Sequence, residues 1–455
     1  MNRIAFCTFG CRINQYDTET IRTLLEQTGH FHTVSPRQVA DIYVVNTCSV
    51  TAQADATARK AIRKIKNEHP AAKIVVTGCY AQRVPTEIAK LPGVALVLGV
   101  PDRTHIAAEI QHILADTDIP DDGKYHPSDR EPSQRIAVSP VSTARSFPEV
   151  PITRMMSRSR AVVKIQDGCN GACSFCIIPQ TRGHSRSRQP DRVIEQISQL
   201  VDNGHREIVL AGVHLGEYGL DLGQGPEALP ALIEKILAIP GLIRFRLSSI
   251  GLGAISDAII QLMATEEKFA RYFHIPLQSA SDEILVRMNR GYLVAQFEEL
   301  LHKITDTIPD CGIGTDIICG FPGESEALFN ETVKRISTLP LSYLHPFPYS
   351  VRPGSTAESF ADQVPGEHRK SRTRILKQVS REKNWAFQHR HLGRLMPVLV
   401  EDARKSGEGT PTYLGWTDNY LRVTVSGART GSGLQTVQIS AIGEEGLIGS
   451  IVEGG

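Results

Sequence analysis

A chain of 455 residues exceeds what one hydrophobic core usually supports, and a prior of about 150 residues per domain suggests about three domains. A hydrophobic share of 41% and a charged share of 22% are ordinary for a soluble globular protein, and no run approaches the roughly 18 consecutive apolar residues that a membrane helix needs. The net charge of +1 excludes a global pull toward nucleic acid, so any such binding must come from local clusters of Lys and Arg. The opening MNRIAFCTFG has no long apolar segment followed by a cleavage site; it reads as a first strand, and a cytoplasmic protein is expected. Nine cysteines in such a chain point to metal ligation or catalysis rather than to a disulfide framework.

From the N-terminus, Ile4 to Phe9, Asp41 to Val45 and Lys73 to Val76 are short, apolar and rich in β-branched or aromatic residues. Amphipathic helical patterns lie between them, near Asp17 to Gln27 and Ala52 to Asn67. This β-α-β-α-β alternation predicts a parallel sheet covered on both faces, over residues 1–115. Just past the three strands, TFGCRINQYD, VNTCSV and TGCYAQ each carry one cysteine, Cys11, Cys48 and Cys79. The carboxyl ends of parallel strands share one edge, so a common metal site is one reading of this trio, and three separately buried cysteines are the other. Cys7 lies inside a strand and is expected in the core.

Residues 116–160 hold six prolines and no sustained periodicity, and they read as a connection between domains that is mobile over part of its length. Arg154, Arg158 and Arg160 suit RNA phosphates, although a solvated cluster is the simpler reading.

Strand-like runs then recur at Ala161 to Gln166, Glu207 to Ala211, Ile243 to Ser248, Tyr272 to Ile275, Gly314 to Ile318 and Ser342 to Phe347, with helical patterns between them. Six β-α repeats predict a partial parallel barrel over residues 161–385, with its active site at the carboxyl ends of the strands. There, after the first strand, DGCNGACSFCIIPQTRG places Cys169, Cys173 and Cys176. A structural zinc site closes with four protein ligands, whereas three thiolates on an iron-sulfur cubane leave one iron open for chemistry. The spacing of three then two also differs from zinc ribbons and from bacterial ferredoxins.

The pattern C-x3-C-x-aromatic-C, here Cys169, Cys173, Phe175 and Cys176, resembles the radical S-adenosylmethionine (SAM) enzymes. With LAGVHLGEYG, RFRLSS, HIPLQSASDEILVRMNR, GTDIICGFPGESE, HPFPYSVRPGSTA, TFGCRINQYDTE and NTCSVT, the chain is similar over nearly its whole length to the methylthiotransferases. QDGCNGACSFCIIPQTRG and VHLGEYGLDL most resemble those members that act on N6-threonylcarbamoyladenosine beside the tRNA anticodon. The resemblance implies a [4Fe-4S] cluster on Cys169, Cys173 and Cys176 whose open iron chelates SAM and yields a 5′-deoxyadenosyl radical. It further implies a second [4Fe-4S] cluster on Cys11, Cys48 and Cys79 that supplies or carries sulfur, a second SAM that supplies methyl, and a flavodoxin or ferredoxin as reductant. Phe175 would flank the adenine, and Gly212, Ser249 and Gln278 stand in motif positions for SAM contact, or equally for shaping the backbone. The implied protein is a monomer that acts on the tRNA anticodon stem-loop and has no membrane partner. One departure is Gly251 to Gly253, where the family commonly shows an acidic residue after SSI.

Cys311 and Cys319 belong to an apolar strand and are expected in the core. The basic run TRGHSRSR, Arg182 to Arg188, follows the cluster loop, and its position favours contact with anticodon-stem phosphates over a solvated loop. After a basic helical stretch near His368 to His389, residues 390–455 read as short strands joined by Gly-containing turns, a small antiparallel barrel. It resembles the TRAM domain, an RNA-binding module, with Tyr413, Trp416 and Tyr420 as stacking candidates that also serve as packing residues. Two other functions compete. One is the same chemistry on isopentenyladenosine in tRNA or on a ribosomal-protein aspartate; the other is a non-catalytic RNA-binding iron-sulfur protein, which would gain nothing from an open iron.

Overall fold

Alternating residues of the first strands feed two cores, one on each face of a parallel sheet. Ile4, Phe6, Ile42, Val44 and Val75 pack with Ile21 and Leu25 on one side; Ala5, Tyr43, Val45, Ile74 and Val76 pack with Ala58 and Ile62 on the other. Both faces being covered explains why Ile42–Thr47 is buried at every position. The structure, a computed structural model, describes residues 1–115, 135–156, 159–404, 412–427 and 433–452. The sheet has six strands, β1 (Asn2–Thr8), β2 (Phe31–Val34), β3 (Ile42–Thr47), β4 (Lys73–Gly78), β5 (Val94–Leu98) and β6 (Arg135–Ala137), in the order β2-β1-β3-β4-β5-β6. Every pairing in it is parallel. The three expected strands are its centre. Part of the expected linker is not a linker, because residues 135–137 form the edge strand β6; three residues are too few to show a period in sequence. Residues 116–134 lie outside the described residues.

The barrel strands are β7 (Arg160–Asp167), β9 (Glu207–Gly212), β10 (Arg244–Leu247), β11 (Tyr272–His274), β12 (Gly312–Cys319) and β13 (Tyr343–Pro348). Between β7 and β9 the two-residue β8 (Arg186–Ser187) pairs antiparallel with the end of β7. The pairs β9·β10, β11·β12 and β12·β13 are parallel, and single parallel bridges at Phe245 with Phe269 and at Ser249 with His274 join β10 to β11. The six expected repeats are present.

The C-terminal barrel closes through β14 (Leu395–Arg404), β15 (Thr412–Thr417), β16 (Arg422–Ser426), β18 (Gly446–Ile451) and β17 (Leu434–Gly443) in that spatial order. It is not wholly antiparallel, since β16 and β18 run parallel. An odd number of strands cannot close a ring with every neighbour reversed, so one parallel pair is a topological necessity.

The chain separates into two units, Met1–Ile152 with Gln166–Arg188 and Ser350–Ser355, and Thr153–Ile165 with Gln189–Tyr349 and Thr356–Gly455. The loop bearing Cys169, Cys173 and Cys176 therefore belongs with the N-terminal sheet. Among the described residues no helix is long and apolar enough to cross a membrane.

Candidate iron-sulfur centre

In parallel register Thr8 lies opposite Asn46 and Thr47 opposite Gly78, so the residues that follow β1, β3 and β4 emerge along one edge. Those residues are Cys11, Cys48 and Cys79. Cys11 caps the helix Arg12–Gln27, Cys79 opens the short helix Cys79–Arg83, and Cys48 precedes the helix Ala52–Glu68. Helix N-termini favour negative charge, which suits thiolates. Gly10 and Gly78, directly before two of the cysteines, have φ of 99° and 95°. A Cβ on Gly10 would lie 2.6 Å from Cys48 Cβ, and one on Gly78 would lie 2.3 Å from the Thr47 carbonyl oxygen. Only glycine permits both the turn and the approach. The Cys48 thiol is pushed up to about 11, first by burial and then by Cys79, with Cys11 adding to it, so the three sulfurs share one electrostatic neighbourhood.

The other trio is local. Cys169 N–H donates to Gly183 O (3.0 Å) and Cys176 N–H to Cys173 O (3.0 Å), folding the loop on itself. Gly171 N–H approaches Cys169 Sγ at 3.3 Å and Ile178 N–H approaches Cys176 Sγ at 3.4 Å. Such contacts stabilise thiolate charge. All three cysteines and Phe175 are half-buried, and none of the nine cysteines is in a disulfide.

One arginine ties the loops together. Arg182, 2% exposed, donates to Asp167 Oδ1 (2.9 Å), Asn14 Oδ1 (2.7 Å) and Asp17 Oδ2 (3.0 Å). Asp167 stands two residues before Cys169; Asn14 and Asp17 follow Cys11. Burial opposes the guanidinium charge, but Cys79, Asp167, Asp17 and Cys11 together hold it well above its ordinary value. Arg103 pairs with Asp17 and lies 3.6 Å from Asp167 Oδ2. The basic run is therefore not an exposed phosphate surface. Arg186 donates to the carbonyls of His184 and Arg182, and Arg188 pairs with Glu149 at 2.8 Å. Arg182 and Arg188 meet acids distant in sequence here, while Arg186 bonds carbonyls of its own loop.

A second buried knot flanks Cys48. Ser49 Oγ donates to Asp55 Oδ1 (2.8 Å), and Asp55 Oδ2 accepts from Arg83 (2.7 Å) and Arg352 (2.5 Å). Arg83 lies four residues beyond Cys79, and Arg352 comes from RPGST, so three separate motifs meet at one carboxylate.

Gly212 ends β9, Ser249 follows β10 and pairs with His274, and Gln278 follows β11. All three stand at carboxyl ends of barrel strands, as expected. Gln278 has φ of 73°, and is held there by bonds to Asp316 O and from Ile318 N (both 2.8 Å). A left-handed residue that is not glycine is strained, and such strain concentrates at functional sites.

Sequence reasoning missed His274, Asp316 and His345, whose ligand atoms lie within 4.8 Å of one another; among the described residues no other His, Cys, Asp or Glu trio is so close. His274 Nε2 is 3.1 Å and His345 Nδ1 3.4 Å from Asp316 Oδ1. Burial raises the Asp316 carboxyl, yet hydrogen bonds from both imidazoles hold it below the usual range. The signal was an acid in a buried strand beside Thr315 and Ile317. Neither cysteine trio is drawn within 4.8 Å.

Cys7 is partly buried against the sheet core; Cys311 and Cys319 are buried, as expected. Tyr413 packs against the small-barrel core. Trp416 and Tyr420 stack on each other (4.8 Å), and Tyr420 stacks on Tyr272 (4.4 Å). Arg246 lies over Tyr420, and Arg160 covers Trp416 and pairs with Glu401 at 2.6 Å. These aromatics are engaged internally rather than displayed for bases. Arg160 is likewise occupied, Arg154 is exposed, and Arg158 lies outside the described residues.

Residues 3–99 match the model of "Uncharacterized protein family UPF0004", and residues 163–336 match the Radical SAM superfamily. The threonylcarbamoyladenosine tRNA methylthiotransferase MtaB of Bacillus subtilis (strain 168) is 38% identical over 94% of this chain and 91% of its own. A tRNA-2-methylthio-N(6)-dimethylallyladenosine synthase of Salinispora arenicola (strain CNS-205) is 34% identical over 86% of this chain and 76% of its own. Among solved structures, the radical SAM methyltransferase TsrM of Kitasatospora setae, with cobalamin and a [4Fe-4S] cluster bound, aligns with a TM-score of 0.53 at 15% identity. That alignment covers 76% of this chain and 72% of that one, a likeness of fold alone.

Proposed function

We propose that this chain, which belongs to the radical SAM methylthiotransferase family, converts N6-threonylcarbamoyladenosine beside the tRNA anticodon to its 2-methylthio derivative. The observation that carries the reading is similarity across 94% of the chain to a relative named for that substrate. The 34% identity to a dimethylallyladenosine synthase supports a second reading, the same chemistry on an isopentenyl-type adenosine.

In this reading Cys169, Cys173 and Cys176 hold one [4Fe-4S] cluster and Cys11, Cys48 and Cys79 a second, with Phe175, Gly212, Ser249 and Gln278 toward SAM. The residues fit such groups. The N-terminal sulfurs share one electrostatic neighbourhood and have a buried cation beside them. When bound, the clusters and SAM supply an adenosyl radical and a sulfur for transfer. The chain's own residues supply the setting. Arg182, itself buried, offsets thiolate charge where an unpaired charge is costly, and its three hydrogen bonds fix the Cys11 loop against the stem of the Cys169 loop. Asp55, held by Ser49, Arg83 and Arg352, fixes the Cys48 loop in the same way. The reading further expects a flavodoxin or ferredoxin as reductant, a monomer and a cytoplasmic location.

Nucleoside mass spectrometry of tRNA from a deletion strain tests the substrate. Loss of the methylthio derivative of threonylcarbamoyladenosine is expected. Unchanged levels, with loss of the isopentenyl counterpart instead, would replace the first reading by the second.

A further inference from the structure

Arg182, Arg186, Arg188, Arg160, Trp416 and Tyr420, expected from sequence to contact RNA, are buried or engaged, and of the expected cations that are described only Arg154 is exposed. The helix Gly366–His389 carries seven Lys and Arg against two acids, in a chain whose net charge is only +1, so the remainder of the chain is net acidic. The helix sorts its cations by face. Arg372 is buried on Glu324, Arg369 donates to the carbonyls of Val364 and Tyr349, and Lys383 donates to those of Ser337 and Leu339. Lys370, Arg374, Lys377 and Arg381 are exposed, and their spacing of four, three and four puts them on one helical stripe. Among the described residues Lys370, Arg374 and Lys377 have no hydrogen-bond or ion-pair partner, and Arg381 bonds the neutral amide of Gln378. Among exposed cations elsewhere, Arg3, Arg135 and Lys303 are paired with acids, whereas Lys60 and Arg63 on the helix Ala52–Glu68 are not, among the described residues. Trp385, 56% exposed and one turn beyond Arg381, extends the stripe, with His389 against its ring at 5.0 Å.

A row of like charges at three- and four-residue spacing costs helix stability. A polyanion would reverse that cost. We propose that this stripe is the phosphate-tracking surface for the tRNA substrate, with Trp385 as a stacking platform for an unpaired base at its end. The eleven residue steps from Lys370 to Arg381 span about 16 Å of helix, room for several successive phosphates. A membrane surface fits less well, because an interfacial helix needs a free apolar face, and here Leu376 and Phe387 are buried, Phe387 in the core of the small barrel.

This inference rests on tRNA being the substrate, and the experiment keeps the two apart. Affinity of the anaerobically reconstituted protein for tRNA carrying N6-threonylcarbamoyladenosine is measured from 50 to 200 mM salt, for wild type and for a variant with Lys370→Ala, Arg374→Ala, Lys377→Ala and Arg381→Ala. Alanine favours the helix, and RNA-independent cleavage of SAM under reductant checks that the variant is intact. Four lost phosphate contacts remove about 2.8 to 3.6 from the slope of log affinity against log salt, so the variant should lose about 50- to 150-fold less affinity than wild type over that range. Trp385→Ala should weaken binding by roughly 5- to 160-fold without changing the slope. Equal slopes for wild type and the fourfold variant, both binding tRNA, would overturn the stripe and leave the function standing. A wild type that cleaves SAM but does not bind tRNA would overturn both.

Discussion

Cys169, Cys173 and Cys176 are set by one short loop, whereas Cys11, Cys48 and Cys79 are delivered to one edge by three strands, 37 and 31 residues apart. The first trio keeps its spacing wherever the loop goes. The second exists only while β1, β3 and β4 are in register, and it leans on two glycines in left-handed conformations and on the carboxylates of Asp17 and Asp55. The local trio should therefore tolerate damage to the sheet, and the assembled trio should report it.

The largest expected contrast is in activity. Cys173→Ala should abolish SAM cleavage, while Cys48→Ala should leave cleavage intact and stop thiolation; 5′-deoxyadenosine and methylthio-nucleoside are quantified from the same anaerobic reaction. Product from either variant would break the division of roles.

Next is Arg182, the residue the two loops share. Arg182→Ala leaves Asp17 and Asp167 buried with one guanidinium fewer, and should cost about 3–5 kcal/mol in urea denaturation. Arg182→Lys should recover only part of this, because a point charge cannot serve three acceptors as a planar fork does. An alanine variant as stable as wild type would show the loops to be independent.

Alkaline pH separates the trios more gently. In cluster-free protein the Cys48 thiol rises from its ordinary 9.0 to about 11, through burial and then Cys79. The folded state thus holds the proton more tightly than the unfolded one. That stability is complete below pH 9 and is lost as pH rises toward 11, to the extent of about 2–3 kcal/mol. Cys48→Ala should flatten this part of the pH–stability curve, and a slope that persists would assign it to another group.

The smallest effect should come from Gly78→Ala, which forces a Cβ to within 2.3 Å of the Thr47 carbonyl oxygen. About 1–3 kcal/mol is expected, with iron lost from the assembled trio while SAM cleavage persists.

Much of this was open to sequence reading because each signal was local. Short apolar runs rich in β-branched residues, with helical patterns between them, marked the central strands and the six barrel repeats, and the spacing of Cys169 to Cys176 marked an open cluster. The assembled trio was half legible: the β-α-β-α-β alternation implied that the three turns share an edge, but separately buried cysteines stayed an equal reading, and the close approach at Gly10 and Gly78 is seen only in the structure. What stayed hidden was pairing over distance. Arg182 read as an RNA-facing cation because its partners Asn14 and Asp17 lie more than 160 residues away. The packing partners of Tyr420 were not legible because Tyr272 and Arg246 come from other strands, and His274, Asp316 and His345 come from three. The strands β6 and β8 were too short to carry a period.

The most direct test counts iron. Anaerobically reconstituted wild type should hold about eight irons per chain, and the variant with Cys11→Ala, Cys48→Ala and Cys79→Ala should hold about four while still cleaving SAM. About four irons in both proteins, with the variant unchanged in thiolation, would contradict a second cluster at the sheet edge.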